Sequence, residues 1–175
     1  MRKLIGVVIV LLVVSIPVLC QESPRAEVFG GYQYTRISPG SGISGQNFNG
    51  WDAALTGNLN RWLGVTGDFS GAYKSISGVS LKQHTFMFGP KISAPVSDKF
   101  TPFVHALFGG ARSSASASGV GSVSDTAFAT ALGGGVDVGV KKFSVRIGQF
   151  DYLMTRFGGT SQNNFRYSAG IVFRF

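Results

Sequence analysis

Along most of the chain, apolar and polar residues alternate with a period of two. The stretch 164–175 shows it most cleanly. Phe165, Tyr167, Ala169, Ile171, Phe173 and Phe175 fall on one face, and Arg166, Ser168, Gly170 and Arg174 on the other, with Val172 as the exception. Trp51, Ala53, Leu55, Gly57 and Leu59 alternate with Asp52, Ala54, Thr56 and Asn58, and Leu63, Val65 and Phe69 with Thr66, Asp68 and Ser70. Phe128, Leu132, Val136, Val138 and Val140 alternate with small residues and Asp137. Such alternation marks strands with one apolar and one polar face. Nothing after residue 25 carries a helical period. Eight strands are predicted, at 26–36, 48–58, 62–73, 82–94, 101–112, 126–140, 143–155 and 164–175. The links after the odd strands (Ser38 to Gln46, Lys74 to Leu81, Ser113 to Asp125, Arg156 to Asn163) are rich in Gly, Ser, Asn and Thr and read as flexible loops. Those after the even strands are mostly shorter: Leu59-Asn60-Arg61, Pro95 to Phe100 and Lys141-Lys142. The seventh strand breaks parity, since Val145 and Ile147 face one way while Phe150, Tyr152 and Met154 need the same face. A β-bulge near Gly148 restores both.

The pattern is all-β, an antiparallel up-and-down meander, and its two faces decide where it lives. Strands of about ten residues cross a bilayer when tilted by roughly 45°. In lipid an unpaired backbone group costs several kcal/mol, and closing the sheet removes its edges. Eight strands enclose an interior just wide enough for side chains. A soluble lipocalin-like barrel or sandwich would gather the aromatics inside, and so narrow an interior cannot hold them. The expected fold is therefore a closed eight-stranded transmembrane β-barrel, with the aromatic face to lipid and small and polar groups as filling. Tyr32, Tyr34, Trp62, Tyr73, Tyr152 and Tyr167 lie near strand ends, as interfacial girdles do.

The N-terminus adds a destination. Met1-Arg2-Lys3 is a short basic region, and Leu4 to Leu19 is almost wholly apolar but short of the ~20 residues of a spanning helix. Residues 1–20 read as a signal peptide for Sec-type export, and 21–175 as the barrel domain. Cys20 is the single cysteine and its position admits a lipoprotein reading, against which stands Leu19, where lipoprotein processing wants Gly, Ala or Ser. If the leader is removed after Cys20, no thiol remains for a disulfide. The net charge is +8, but the basic residues are scattered rather than clustered, which argues against nucleic acid. Outer-membrane lipid and lipopolysaccharide are the counter-charges an exported chain meets.

The polar face carries the candidate chemistry. With a turn at Lys141-Lys142, equal counting sets Asp137 opposite Arg146 in the lumen, between Val136/Ile147 and Val138/Val145 facing lipid. Asp52 and Asp68 also point inward, level with each other across the second hairpin, with Arg166 and Lys91 as candidate cations. Asp151 completes a lumenal polar network. An unpaired buried charge is costly, so these residues are expected to form a plug; a gate that opens when the pairs exchange is the sharper alternative. His84 lies near the outer rim without a legible Ser–acid pair, and His105 faces the lumen; both read as hydrogen-bonded filler. No metal-ligand spacing, phosphate-cradling loop or nucleophile elbow is present, so no catalytic residue, metal or cofactor is assigned. Gly133-Gly134-Gly135, within a strand, suits tight barrel curvature.

The C-terminus is Ser168-Ala169-Gly170-Ile171-Val172-Phe173-Arg174-Phe175: a polar residue, Gly two later, then two aromatics spaced by one. It resembles the terminal signal of outer-membrane proteins. In strand pattern and terminus, the whole mature chain resembles the small OmpA-like and OmpX-like eight-stranded barrels. The resemblance implies a bacterial outer-membrane location and recognition of Ser168, Gly170, Phe173 and Phe175 by the barrel-assembly machinery; no peptidoglycan-binding domain is expected to follow, since the sequence ends at Phe175. The expected function is non-enzymatic, a monomer with a structural or surface-interaction role in the envelope. The alternatives are a narrow channel for ions or small solutes, and a lipid A-modifying enzyme using the rim near His84.

Overall fold

The computed structural model describes residues 24–38, 45–76, 79–97, 99–117, 121–140, 142–157 and 160–175. The leader and Cys20 lie outside the described residues. Eight strands run in chain order: β1 (Ala26–Ser38), β2 (Gln46–Asn58), β3 (Leu63–Ile76), β4 (Val79–Ser93), β5 (Phe100–Ala117), β6 (Gly121–Val140), β7 (Phe143–Phe157) and β8 (Thr160–Arg174). Each pairs antiparallel with the next, and β8 returns to β1, closing the barrel. The first and last residues of the ladder meet at one end, where Arg25 N–H donates to the Phe175 carbonyl at 2.7 Å.

That end carries the short turns. In the β2–β3 turn the Asn60 side chain accepts hydrogen bonds from the backbone N–H of Trp62 and Leu63, both at 2.8 Å. This Asx geometry sets the turn at Asn60-Arg61-Trp62, one residue later than the sequence count placed it. At the opposite end the strands outrun the expected boundaries. The ladder continues to Ile76↔Val79 between β3 and β4, Ala117↔Gly121 between β5 and β6, and Phe157↔Thr160 between β7 and β8. The links expected as flexible loops after strands three, five and seven are therefore mostly paired β-structure. The reason is that Ser, Gly and Thr satisfy a ladder as well as a loop once both neighbours supply backbone partners.

The bulge falls where parity required it. Val138 pairs with Val145 and Asp137 with Arg146, but Val136 pairs with Gly148. Ile147 is the extra residue, so the expected Val136/Ile147 pair is not formed. On the other side the register slips between Arg146 and Gln149. One inserted residue keeps Val145 and Ile147 on the same outer face as Phe150, Tyr152 and Met154, all of them exposed.

The outer wall is apolar and aromatic: Leu55, Phe69, Phe86, Phe88, Phe128, Leu132, Phe150 and Phe165 are all exposed. Towards the end remote from the termini, Trp51 Nε1 donates to the Tyr73 hydroxyl at 3.1 Å and Tyr32 donates to Asn49 Oδ1 at 2.7 Å. His84 meets Tyr73 edge-on at 5.7 Å. Trp62 stands at the other end, in the turn beside Arg61.

The interior departs from a purely small and polar filling. Phe29, Phe48 and Phe103 are buried in the lumen, with Met87, Leu107, Leu153 and Val172. Strict alternation already carried the signal: Phe29 lies between the outward Val28 and Gly30, and Phe103 precedes the outward Val104. An eight-stranded bore accommodates a few rings where glycines face them. A Cβ on Gly135 would stand 2.9 Å from the Phe103 ring, and one on Gly133 would stand 2.0 Å from the Asp151 carboxylate. The triple-glycine segment thus makes room for side chains from the neighbouring strands, beyond any effect on curvature.

Candidate functional site

The lumen concentrates the charged chemistry. Asp52, Asp68, Lys91, Asp137, Arg146, Asp151 and Arg166 all turn inward and are each at most 4% exposed. Inward parity on consecutive strands brings them together; their longer side chains then reach across the bore to strands that are not neighbours.

Two guanidinium groups organise the site. Arg166, on β8, forks onto both oxygens of Asp68 on β3, at 2.8 and 2.9 Å, and its Nε donates to Asp151 Oδ2 on β7 at 2.8 Å. Arg146, on β7, donates to both oxygens of Asp137 on β6, at 2.8 and 3.2 Å, and to Gln149 Oε1 at 2.7 Å. Bidentate pairs of this kind are the strong, directional form of the Arg–carboxylate interaction. Arg146 is also held between two rings, its guanidinium carbon 4.2 Å from the Phe29 centroid and 4.3 Å from that of Phe103. Lys91 Nζ also stands over the Phe103 ring, 4.7 Å from its centroid.

The pairs are linked into one chain. Lys91 Nζ meets Glu27 at 2.6 Å, Arg174 bridges Glu27 and Asp137 at 3.1 and 3.2 Å, and Gln149 joins the Arg146 pair to Asp151 at 2.8 Å. His105 closes on Asp151 Oδ1 at 2.7 Å. Seven of the eight strands contribute a side chain, all but β2. On β2, Asp52 instead accepts from Ser168 Oγ at 2.6 Å, and its Oδ1 has no hydrogen-bond partner among the described residues.

Two sequence expectations change here. Asp52 lies opposite Ser70, and Asp68 opposite Ala54, so the two aspartates are diagonal and not level. The displaced Asn60 turn shifts every β3 partner by two residues. Lys91 serves Glu27 rather than either aspartate, and Arg166 serves Asp68 and Asp151. Sequence reasoning passed over Glu27, Arg174, Gln149 and the two rings. The signal for the first pair was available: closing strand eight on strand one sets Glu27 opposite Arg174, both with inward parity.

His84 faces outward, with the Tyr73 hydroxyl 3.3 Å from its Nε2, and His105 is held by Asp151. Among the described residues no group of three or more His, Cys, Asp or Glu side chains could hold a metal ion. Ser168, Gly170, Phe173 and Phe175 lie on β8 and at its end, the first buried in the lumen and the two rings exposed on the outer wall.

Comparison with known proteins gives a consistent picture. A family model described as an outer membrane protein beta-barrel domain matches residues 6–175. Among solved structures, Neisserial surface protein A is similar with a TM-score of 0.73 at 15% identity, over 86% of this chain and 97% of that one. Ail, the attachment invasion locus protein of Yersinia pestis, has a TM-score of 0.62 at 18% identity, over 86% and 99% of the two chains. The N-terminal barrel domain of Pseudomonas aeruginosa OprF has a TM-score of 0.57 at 9% identity, over 87% and 98%. At these identities the likeness concerns the fold. No curated protein sequence matches the chain.

Proposed function

The chain belongs to the outer membrane protein β-barrel domain family, and from that premise we propose that it serves the bacterial envelope as a closed, non-enzymatic barrel with a structural or surface-interaction role. The observation that carries this reading is the ion-paired chain across the lumen, in which the fully buried side chain of Arg166 ties β8 to β3 and β7. A guanidinium held by two carboxylates in a narrow bore is a filling. Moving it would leave charges buried and unpaired, at a cost of about 3–5 kcal/mol.

The surface role is supported by the uneven rim. The ladder between β6 and β7 stops at Phe128↔Arg156, whereas β5 and β6 stay paired to Ala117↔Gly121. Together with the β3–β4 pairing to Ile76↔Val79, this raises a four-stranded wall on one side, facing the exterior if the short turns face the periplasm, as in this family. In this reading the protein is exported by the Sec route and works as a monomer. It is surrounded by outer-membrane lipid and lipopolysaccharide, and the assembly machinery reads Ser168, Gly170, Phe173 and Phe175.

Planar-bilayer recording of the refolded protein tests the reading. The wild type is expected to give no unitary conductance steps, and Arg146→Ala and Asp137→Ala are expected to leave that baseline unchanged. Regular steps in the wild type that change in either variant would establish the channel instead. Lipid A recovered from cells before and after expression is expected to be chemically identical.

A further inference from the structure

The outer wall carries a groove of about 500 Å³ across β6, β7, β8 and β1. Its sides are Leu132, Phe150, Tyr152, Phe165, Tyr167 and Tyr34. Its floor passes Asp151 and Arg166, whose side chains turn into the lumen. Two aromatic pairs frame it, Phe150–Tyr167 with centroids 5.0 Å apart and Tyr152–Phe165 at 5.4 Å. The groove exists because β6 places Gly134 opposite Phe150 and β7 places Gly148, next to the extra residue Ile147, near Tyr167, so that side chains are missing between the rings. Tyr167 is fixed there by its hydroxyl, which donates to the Ile147 carbonyl at 2.9 Å. Phe150, Leu132 and Phe165 are 69%, 63% and 61% exposed, so the walls stand open on the lipid side.

One charged side chain lines this groove from the outer face. Arg36 is exposed at the end of β1 remote from the short turns and makes no ion pair among the described residues. Five of the chain's eight acids, Glu27, Asp52, Asp68, Asp137 and Asp151, are sunk in the lumen, away from it. Arg156 lies further out on β7, beyond Tyr152, and is also exposed. An apolar trough running towards the membrane centre, capped at its outer end by an unpaired guanidinium, matches an amphiphile with its anionic head at the external surface. Its volume is within the roughly 300–1,000 Å³ of small-ligand sites.

We propose that this groove is a specific site for the phosphorylated saccharolipid of the outer leaflet, lipid A, with an acyl chain between the two aromatic pairs and a phosphate on Arg36. A guanidinium binds phosphate through paired, charge-assisted hydrogen bonds, and a chain lying between the rings covers their exposed faces.

The test uses the refolded full-length barrel in dodecyl maltoside micelles, titrated with diphosphoryl hexa-acylated lipid A and followed by native mass spectrometry. The wild type is expected to retain one lipid A. Arg36→Gln should weaken binding by about tenfold, and Leu132→Trp, which fills the groove, should abolish it. Lys82→Gln, at another exposed cation, on β4 away from the groove, should leave it unchanged. Three results would overturn the site: unchanged binding in both groove variants, an equal loss in Lys82→Gln, or phosphatidylglycerol retained as tightly as lipid A. Heat-modifiable gel migration shows which variants are folded, and the exposed Arg36→Gln keeps the test readable if Leu132→Trp does not fold.

Discussion

The lumen is filled in two ways. In one region Asp68, Asp137, Asp151, Arg146 and Arg166 form short ion pairs, with Arg146 held between the Phe29 and Phe103 rings. In the other, on the inner faces of β4 to β7, Met87, Leu107, Ala111, Ala129, Ala131 and Leu153 form an apolar cluster, each at most 2% exposed. Both regions exclude solvent, yet they resist change differently. A charged network is satisfied or costly, because deleting one member strands the others in low dielectric. An apolar cluster fails gradually, in proportion to the volume removed. The charged region fixes which strands face each other across the bore, through contacts such as Arg166–Asp68, 98 residues apart in sequence. The apolar region fixes only how tightly neighbouring strands pack.

The largest effect should come from breaking the charged region at its centre. Arg166→Met leaves Asp68 and Asp151 without their shared cation, and should lower stability by about 3–5 kcal/mol, read as the urea midpoint of the heat-modifiable folded band. Adding Asp68→Asn and Asp151→Asn to it should recover more than half of that loss, because the stranded charges go with their partner. A single-variant cost below about 1 kcal/mol would make the network no more than the equivalent of a surface ion pair, and the contrast between the two regions would vanish. The apolar region should respond less. Leu107→Ala removes a fully buried side chain from among three alanines that cannot expand to fill the space, and should cost about 3 kcal/mol. No second substitution that merely changes charge should restore it.

How much of this contrast was legible follows from the range of each contact. The outer face was readable because alternation needs only neighbouring residues, and Phe165, Phe69 and Leu55 sit on the wall where their parity puts them. The Asp137–Arg146 pairing was readable because one short turn fixes its register by counting. The same counting failed between Asp52 and Asp68, where the Asn60 side chain captures two backbone N–H groups and moves the turn by one residue. The bridges Lys91–Glu27 and Arg166–Asp68 were beyond counting altogether, since register relates adjacent strands and these side chains span the bore. The buried rings were hidden by a rule applied too broadly. Eight strands exclude many aromatics, but they admit Phe103 where Gly135 gives it room.

The smallest effect probes what the rings do inside the charged region. Phe103 lies against both Arg146 and Lys91, so it contributes apolar packing and a π-face at once. Phe103→Leu keeps much of the packing and removes the face, and should cost about 1–2 kcal/mol. The cation–π share is isolated by a double-mutant cycle with Arg146→Met. A coupling of about 0.5–2 kcal/mol places the ring within the electrostatic network, as a soft partner for a cation whose carboxylate lies to one side. A coupling near zero makes Phe103 plain filler, and the lumen's two regions then differ in charge alone and not in how their aromatic and aliphatic groups are used.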